Sequence, residues 1–149
     1  RSTIIQEISE RLQNDDKPGP WSKFDYNFSN APFFYFISFK FSHFDSLLKF
    51  NRATFTQSVD FSGATFTQGV DFSEATFQIK PIFESALGNK ARFSCKVEPE
   101  NYTFEVSSES LYKIDIWKPE HNGIEFTIPK GAKLFDPDEP SEQEDNDDS

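Results

Sequence analysis

The sequence predicts an all-β solenoid, in which very short parallel strands wind around a core of aromatic side chains. Phenylalanine occurs 19 times in 149 residues and methionine is absent, which indicates a repeating core site rather than an irregular core. The phenylalanines recur at alternating gaps of six and five residues, whereas an amphipathic helix would place apolar residues three and four apart. Thr, Val, Ser, Asp and Gly fill this period of 11, and they are poor helix formers.

The repeat is clearest over residues 49–81, where KFNRATFTQSV, DFSGATFTQGV and DFSEATFQIKP align without a gap. A second apolar or small residue precedes most of these phenylalanines by two positions, so both side chains point to one side of an extended chain. Each half of the repeat is therefore predicted to be a short strand followed by a corner. The predicted inward residues are Phe28, Phe33, Phe39, Phe44, Phe50, Ala53, Phe55, Val59, Phe61, Ala64, Phe66, Val70, Phe72, Ala75, Phe77 and Phe83.

Four consecutive segments, ATFTQ at 53–57, VDFSG at 59–63, ATFTQ at 64–68 and VDFSE at 70–74, resemble pentapeptide repeats. That family repeats a small residue, a polar residue, Leu or Phe, and two small polar residues. The resemblance implies a right-handed quadrilateral parallel β-helix over residues 26–95, with four short faces per coil.

The sequence departs from the plain family pattern by one extra residue in every repeat of 11. The extra residues are Phe36, Leu47, Ser58, Gly69 and Lys80. The extra residues predict bulged corners. Two repeats of 11 then make a coil of 22 residues rather than 20, and the sequence contains about three such coils.

A 22-residue coil predicts vertical columns of stacked phenylalanine rings. The predicted columns are Phe28–Phe50–Phe72, Phe33–Phe55–Phe77, Phe39–Phe61–Phe83 and Phe44–Phe66. The fourth column meets Gly88, where the series fails, and resumes at Phe93 after an irregular last turn over 84–95.

The chain divides into four predicted segments. Residues 1–20 form an N-terminal helical cap and linker, because Ile4, Ile5, Ile8 and Leu12 make an apolar helical stripe. Residues 21–95 form the solenoid. Residues 96–135 form a C-terminal β-hairpin cap, since about 40 residues is small for an independent core. Residues 136–149 form a disordered acidic tail.

The net charge of −10 comes mostly from that tail, which holds eight acidic residues and no basic one. The remaining body is nearly neutral. No apolar run approaches the roughly 20 residues of a transmembrane helix. No signal peptide is recognisable, and a chain beginning at Arg1 is expected to be a processed form or a fragment. Relatives of the resembled family occur in the cytoplasm, periplasm and thylakoid lumen, so the resemblance selects no compartment.

The sequence predicts no enzyme, no cofactor and no metal site. His43 is an outward position and His121 lies in a turn, far from it in sequence. Cys95 has no base near it in sequence, and a single cysteine excludes an internal disulfide. Asp60 and Asp71 are half a predicted coil apart and therefore belong on different faces.

Three functions remain open, and the preferred one is a scaffold that binds another protein, with homodimerisation through the solenoid ends as a further possibility. The resemblance also raises mimicry of DNA toward a topoisomerase such as gyrase, but the solenoid carries both signs of charge. Direct nucleic-acid binding is not expected, because no basic stripe exists. Ice binding needs a row of threonines, and the row that starts at Thr54 and Thr56 ends at Thr76 and Gln78.

Overall fold

The computed structural model describes residues 13–14 and 17–139 of the chain. In this part of the chain the elements are short strands and one 3₁₀ helix, Pro99–Asn101. The strands are β1 (Gln13–Asn14), β2 (Lys17–Pro18), β3 (Tyr26–Asn27), β4 (Pro32–Phe33), β5 (Ile37–Ser38), β6 (His43–Phe44), β7 (Leu48–Lys49), β8 (Thr54–Phe55), β9 (Val59–Asp60), β10 (Thr65–Phe66), β11 (Val70–Asp71), β12 (Thr76–Phe77), β13 (Arg92–Ser94), β14 (Tyr102–Thr103), β15 (Ile116–Trp117), β16 (Glu120–His121), β17 (Ile124–Glu125), β18 (Ile128–Pro129) and β19 (Lys133–Phe135).

Thirteen of these strands stack into four parallel faces. Face 1 contains β3, β7, β11 and β14; face 2 contains β4, β8 and β12; face 3 contains β5 and β9; face 4 contains β6, β10, β13 and β19. The chain visits the four faces in turn, so each strand pairs with the strand one coil away. The predicted parallel β-solenoid is confirmed, and its right-handed sense stays a prediction.

The regular coil has the predicted length of 22 residues. The hydroxyl of Thr67 donates a hydrogen bond to Asp45, which is 22 positions earlier, in the preceding coil. Leu48 pairs with Tyr26 on one side and Val70 on the other. Every pairing among β3–β12 keeps this offset. The extra residue in each half-coil is therefore accommodated in every turn of the solenoid.

Two kinds of corner alternate around the coil. One is a tight turn closed by a hydrogen bond from the N–H of residue i+3 to the carbonyl of residue i, as from Ala64 to Phe61. Its third residue has positive φ, as in a type II turn. These residues recur every 11 positions, at Asn30, Phe41, Arg52, Gly63 and Glu74. The other corner is a three-residue connection, as between Phe33 and Ile37, and it holds the extra residue.

The core consists of stacked phenylalanine rings. Ring centroids within a column lie 4.6–5.5 Å apart, with interplanar angles of 5–17°. The column pairs are Phe28–Phe50, Phe50–Phe72, Phe33–Phe55, Phe55–Phe77, Phe39–Phe61, Phe61–Phe83, Phe44–Phe66 and Phe66–Phe93. Rings of neighbouring columns meet edge-on or tilted, an arrangement that the quadrupole of an aromatic ring favours. Phe28, the first ring of its column, is half-buried, while the rings below it are buried.

The parallel sheets extend past residue 95, where the solenoid segment was predicted to end. An insertion after Glu84 lengthens the third coil, so that Arg92 rather than residue 87 pairs with Thr65. Strand β14 then adds Tyr102 to face 1, and the ring of Phe104 stacks 5.8 Å from Phe72. Strand β19 is the last strand of face 4.

The remaining C-terminal strands form an antiparallel hairpin. Strand β15 pairs with β18 and β16 pairs with β17, around a tight turn at Asn122 and Gly123. Phe126 and Ile128 from this hairpin belong to the same buried cluster as the phenylalanine columns. Its role as a cap stays a prediction. The predicted N-terminal helix, with Ile4, Ile5, Ile8 and Leu12, lies outside the described residues. Among the described residues, no helix has the length and apolar character needed to span a membrane.

Candidate functional site

The solenoid exposes an unusual run of three aromatic side chains at one corner. Phe34, Tyr35 and Phe36 occupy the three-residue connection between β4 and β5, and their exposed fractions are 60%, 54% and 55%. The strands on both sides of the connection are paired with the next coil, so the backbone of this corner is fixed at both ends. We call residues 34–36 the aromatic corner.

The aromatic corner begins a ridge of equivalent corners. Residues 56–58 and 78–80 occupy the same connection in the next two coils, because their flanking strands stack in register. Of these residues, Ile79 is an exposed apolar side chain, with an exposed fraction of 43%. On the other three-residue corner of the coil, Leu47 is exposed to the same extent. Along this ridge of corners, the exposed aromatic side chains lie in the first coil.

The outward residues of the faces are mostly uncharged and carry no acidic row. Among the outward residues of β3–β14, only Asp60 and Asp71 are acidic, and they lie on faces 3 and 1. On face 2, the outward residues Thr54 and Thr76 lie next to each other on adjacent strands, and Pro32 occupies the equivalent position in the first coil.

Asp71 illustrates what these outward carboxylates do. Burial tends to raise its pKa, but hydrogen bonds from Ser73 and Thr103 and the charge of Lys49 outweigh that effect, so its pKa is lowered. Its Oδ1 accepts bonds from the Ser73 N–H at 2.8 Å, the Ser73 hydroxyl at 2.6 Å and the Thr103 hydroxyl at 2.8 Å. Asp71 therefore holds a type II corner and ties two coils together.

A cleft of about 410 Å³ separates the third coil from the C-terminal strands. It is lined by residues 80–84, 113–115 and 130–131. Charges of both signs surround it, and one pair, Lys80 and Asp115, lies 3.8 Å apart at largely exposed positions. The lining contains no Ser, Cys or His, so it offers neither a nucleophilic hydroxyl or thiol nor an imidazole base.

The structure places three potential metal ligands together at the C-terminal end of face 4. The thiol of Cys95, a ring nitrogen of His121 and a carboxylate oxygen of Asp136 all lie within 4.8 Å of one another, and all three residues are half-buried. His121 therefore lies near Cys95 in space, although no base is near Cys95 in sequence. Sequence reasoning missed this cluster because its members lie at the ends of β13, β16 and β19, which are far apart in the sequence.

Cys95 is not set up as an activated nucleophile. Burial raises the pKa of its thiol, and the neighbouring charge of Asp136 raises it further, against a smaller opposing effect of Lys96. A catalytic cysteine needs the reverse, a lowered pKa that favours the thiolate.

His43, the other histidine, lies on an outward position of β6 as predicted from its place before Phe44. Its strand partner is Thr65, and it is not part of the cluster of Cys95, His121 and Asp136.

Comparison with known families agrees with the geometry. The family model described as pentapeptide repeats (9 copies) matches residues 50–87. Residues 50–87 are therefore a run of pentapeptide repeats. The matched residues comprise the coils in which the 22-residue register is most regular. No curated protein and no solved structure gives a significant match to the chain.

Proposed function

We propose that this protein is a non-catalytic scaffold that binds another protein through the aromatic corner. The observation that carries the proposal is the exposure of Phe34, Tyr35 and Phe36 side by side on a backbone fixed by parallel strands. Aromatic side chains are enriched at protein interfaces, and tyrosine is frequent among the few residues that carry most of the binding energy. A contiguous exposed apolar patch on a soluble domain marks such a site.

The solenoid supports this role because it is a rigid display. Phe33 and Ile37, the residues that flank the aromatic corner, are buried and point into the core. The backbone of the aromatic corner therefore needs little ordering when a partner binds, which favours affinity.

The two other functions find less support in the arrangement of side chains. A DNA mimic needs a row of carboxylates along a face, and the outward acidic residues of β3–β14, Asp60 and Asp71, lie on different faces. An ice-binding face needs threonines in successive coils, and Pro32 ends the row of Thr54 and Thr76.

Site-specific photo-crosslinking in the cells that produce the protein tests the proposal. A photoreactive aromatic amino acid at position 35 is expected to capture one protein strongly, since Tyr35 is the middle of the corner. The matched control is the same amino acid at Gln57, the equivalent exposed position one coil away. Equal capture at both positions would contradict the proposal.

The captured protein is then purified and its affinity measured by calorimetry. Phe34→Ser together with Phe36→Ser should weaken binding at least about tenfold, since buried aromatic contacts at interfaces cost more than about 1.4 kcal/mol when removed. Leu47→Ser, at an exposed apolar position on the other corner, should leave the affinity unchanged. Urea unfolding of all variants checks that the solenoid itself is unaffected.

A further inference from the structure

The Cys95–His121–Asp136 cluster is held by paired backbone on each of its three sides. Strands β13 and β19 are in parallel register from Arg92 and Lys133 onwards, and the N–H of Cys95 donates to the carbonyl of Phe135 at 2.8 Å. Cys95 and Asp136 directly follow these two strands and therefore lie side by side. Their side chains are brought together by the register of the solenoid itself.

His121 reaches the same place from the hairpin. It ends β16 and pairs with Ile124 across a turn in which Asn122 and Gly123 both have positive φ, 54° and 81°. Two positive φ values are the mark of the tight type I′ hairpin. The turn fixes the direction of the strand, and Nε2 of His121 lies 3.9 Å from Oδ2 of Asp136.

The separations suit a single small ion. In a tetrahedral zinc site, bonds of about 2.0–2.3 Å to N, O and S place the ligand atoms about 3.3–3.7 Å from one another. The His121–Asp136 distance of 3.9 Å exceeds this by only a few tenths of an ångström, and no pair in the cluster exceeds 4.8 Å. All three side chains are half-buried rather than enclosed, so rotation about their own bonds is the movement that would bring the ligand atoms to metal-binding distances.

The donor set selects the kind of metal. A thiolate, an imidazole and a carboxylate together are typical ligands of zinc, whereas magnesium and calcium prefer oxygen ligands alone. Three protein ligands leave the fourth tetrahedral position for water. We propose that Cys95, His121 and Asp136 bind one zinc-class divalent cation, which ties the hairpin to the edge of face 4.

A lysine beside the cluster gives the proposal a distinctive consequence. Nζ of Lys96 lies 3.9 Å from Oδ1 of Asp136 and 3.5 Å from Oδ2 of Asp138. Its charge competes with a metal for Asp136 and repels the cation. Removing this charge should strengthen metal binding, an effect opposite in sign to that of structural damage.

Cobalt(II) titration of the full chain tests the site, because a cobalt–thiolate bond produces a charge-transfer absorption in the near ultraviolet. We expect this band to saturate at one cobalt per chain and to be displaced by zinc. Cys95→Ser should abolish the band. His121→Gln and Asp136→Asn should each weaken binding at least about tenfold, by analogy with the 10- to 100-fold losses seen even for outer partners of ligands. His43→Gln is the matched control and should change nothing.

Two further measurements have expected results that a folding defect in a variant would not produce. Lys96→Gln should tighten cobalt binding, and zinc should slow the alkylation of Cys95 by iodoacetamide in the unaltered protein. The proposal is overturned if no thiolate band forms, if the band is insensitive to His121→Gln and Asp136→Asn, or if zinc leaves the alkylation rate unchanged.

Discussion

Phe61 is a core ring that other aromatic rings enclose on several sides. It is completely buried and stacks between Phe39 and Phe83, at 5.5 Å from each. Phe50 and Phe72 meet it edge-on from the neighbouring column at 5.9 and 5.7 Å. Phe61→Ala removes a ring that is enclosed from above, below and the side.

The expected loss is large because the cavity cannot collapse. Truncation of a buried Phe costs roughly 3–5 kcal/mol, and the value rises with the volume that remains empty. The flanking rings are held one coil apart by the parallel strands, so they cannot move into the space. We therefore expect Phe61→Ala to cost about 4–5 kcal/mol, toward the top of that range.

Urea unfolding followed by circular dichroism measures the loss. Two controls scale it. Phe28→Ala, at the half-buried first position of its column, should cost about 2 kcal/mol, because the Phe28 ring buries less apolar area than the Phe61 ring does. Phe36→Ala, at the exposed aromatic corner, should change stability by less than about 0.5 kcal/mol. A loss for Phe61→Ala no greater than that for Phe28→Ala would refute the stacked core.

Three further changes test the corners and the outward ladder by the same unfolding measurement. Gly63→Ala should cost about 1–3 kcal/mol, because the new Cβ would lie 2.5 Å from the ring of Phe41 in the coil above; an unchanged midpoint would contradict that contact. Ser42→Ala should raise stability by about 1 kcal/mol, since the Ser42 hydroxyl is buried without a hydrogen-bond partner in the described part of the chain; a loss would show that a partner exists. Asp71→Asn should cost about 1 kcal/mol at pH 7, since partial exposure limits what its charge contributes. Because the folded pKa of Asp71 is lowered, its stabilisation is present above the unfolded pKa of about 4 and is lost as pH falls through the folded value. The difference from the unaltered protein should therefore vanish in acid, and a difference independent of pH would contradict this role.

The regular part of the solenoid was predictable because the sequence repeats the physical requirement of each coil. A large inward ring recurs at Phe50, Phe61 and Phe72, and no insertion interrupts the repeat between them. Counting residues therefore gives both the repeat length and the column to which each ring belongs. The 22-residue length of the coil was predictable for the same reason. The extra residue occurs in every half-coil, so the phenylalanines of successive coils stay aligned.

The later coils could not be predicted in the same way, because insertions break the count. Phe93 continues the fourth column as predicted, but it does so because the chain between Glu84 and Lys90 folds back on itself, which the repeat count does not show. Phe104 continues the column of Phe72 after a longer stretch of chain than one regular coil, a spacing that no preceding repeat announces. Three-dimensional pairing, not sequence period, determines these positions.

The candidate sites differ in how visible they were. The aromatic corner has a partial signal in the sequence, since residues 31–37 form the longest apolar run and Phe36 is the extra residue of its repeat. The Cys95–His121–Asp136 cluster had none, because its members are joined by the register of β13 and β19 and by the hairpin. Corner residues with positive φ were equally hidden at Arg52 and Glu74, which are not residues that favour this conformation.

Disulfide cross-linking of engineered cysteine pairs tests the 22-residue coil most directly. In a Cys95→Ser background, Thr54→Cys with Thr76→Cys should form a disulfide rapidly under mild oxidation, because the two positions face each other on adjacent parallel strands. Neighbouring strands lie about 4.8 Å apart, within the Cα separation that a disulfide allows. Thr54→Cys with Glu74→Cys, which a 20-residue coil would bring together, should not cross-link. Cross-linking of the second pair in preference to the first would contradict the register on which the whole account depends.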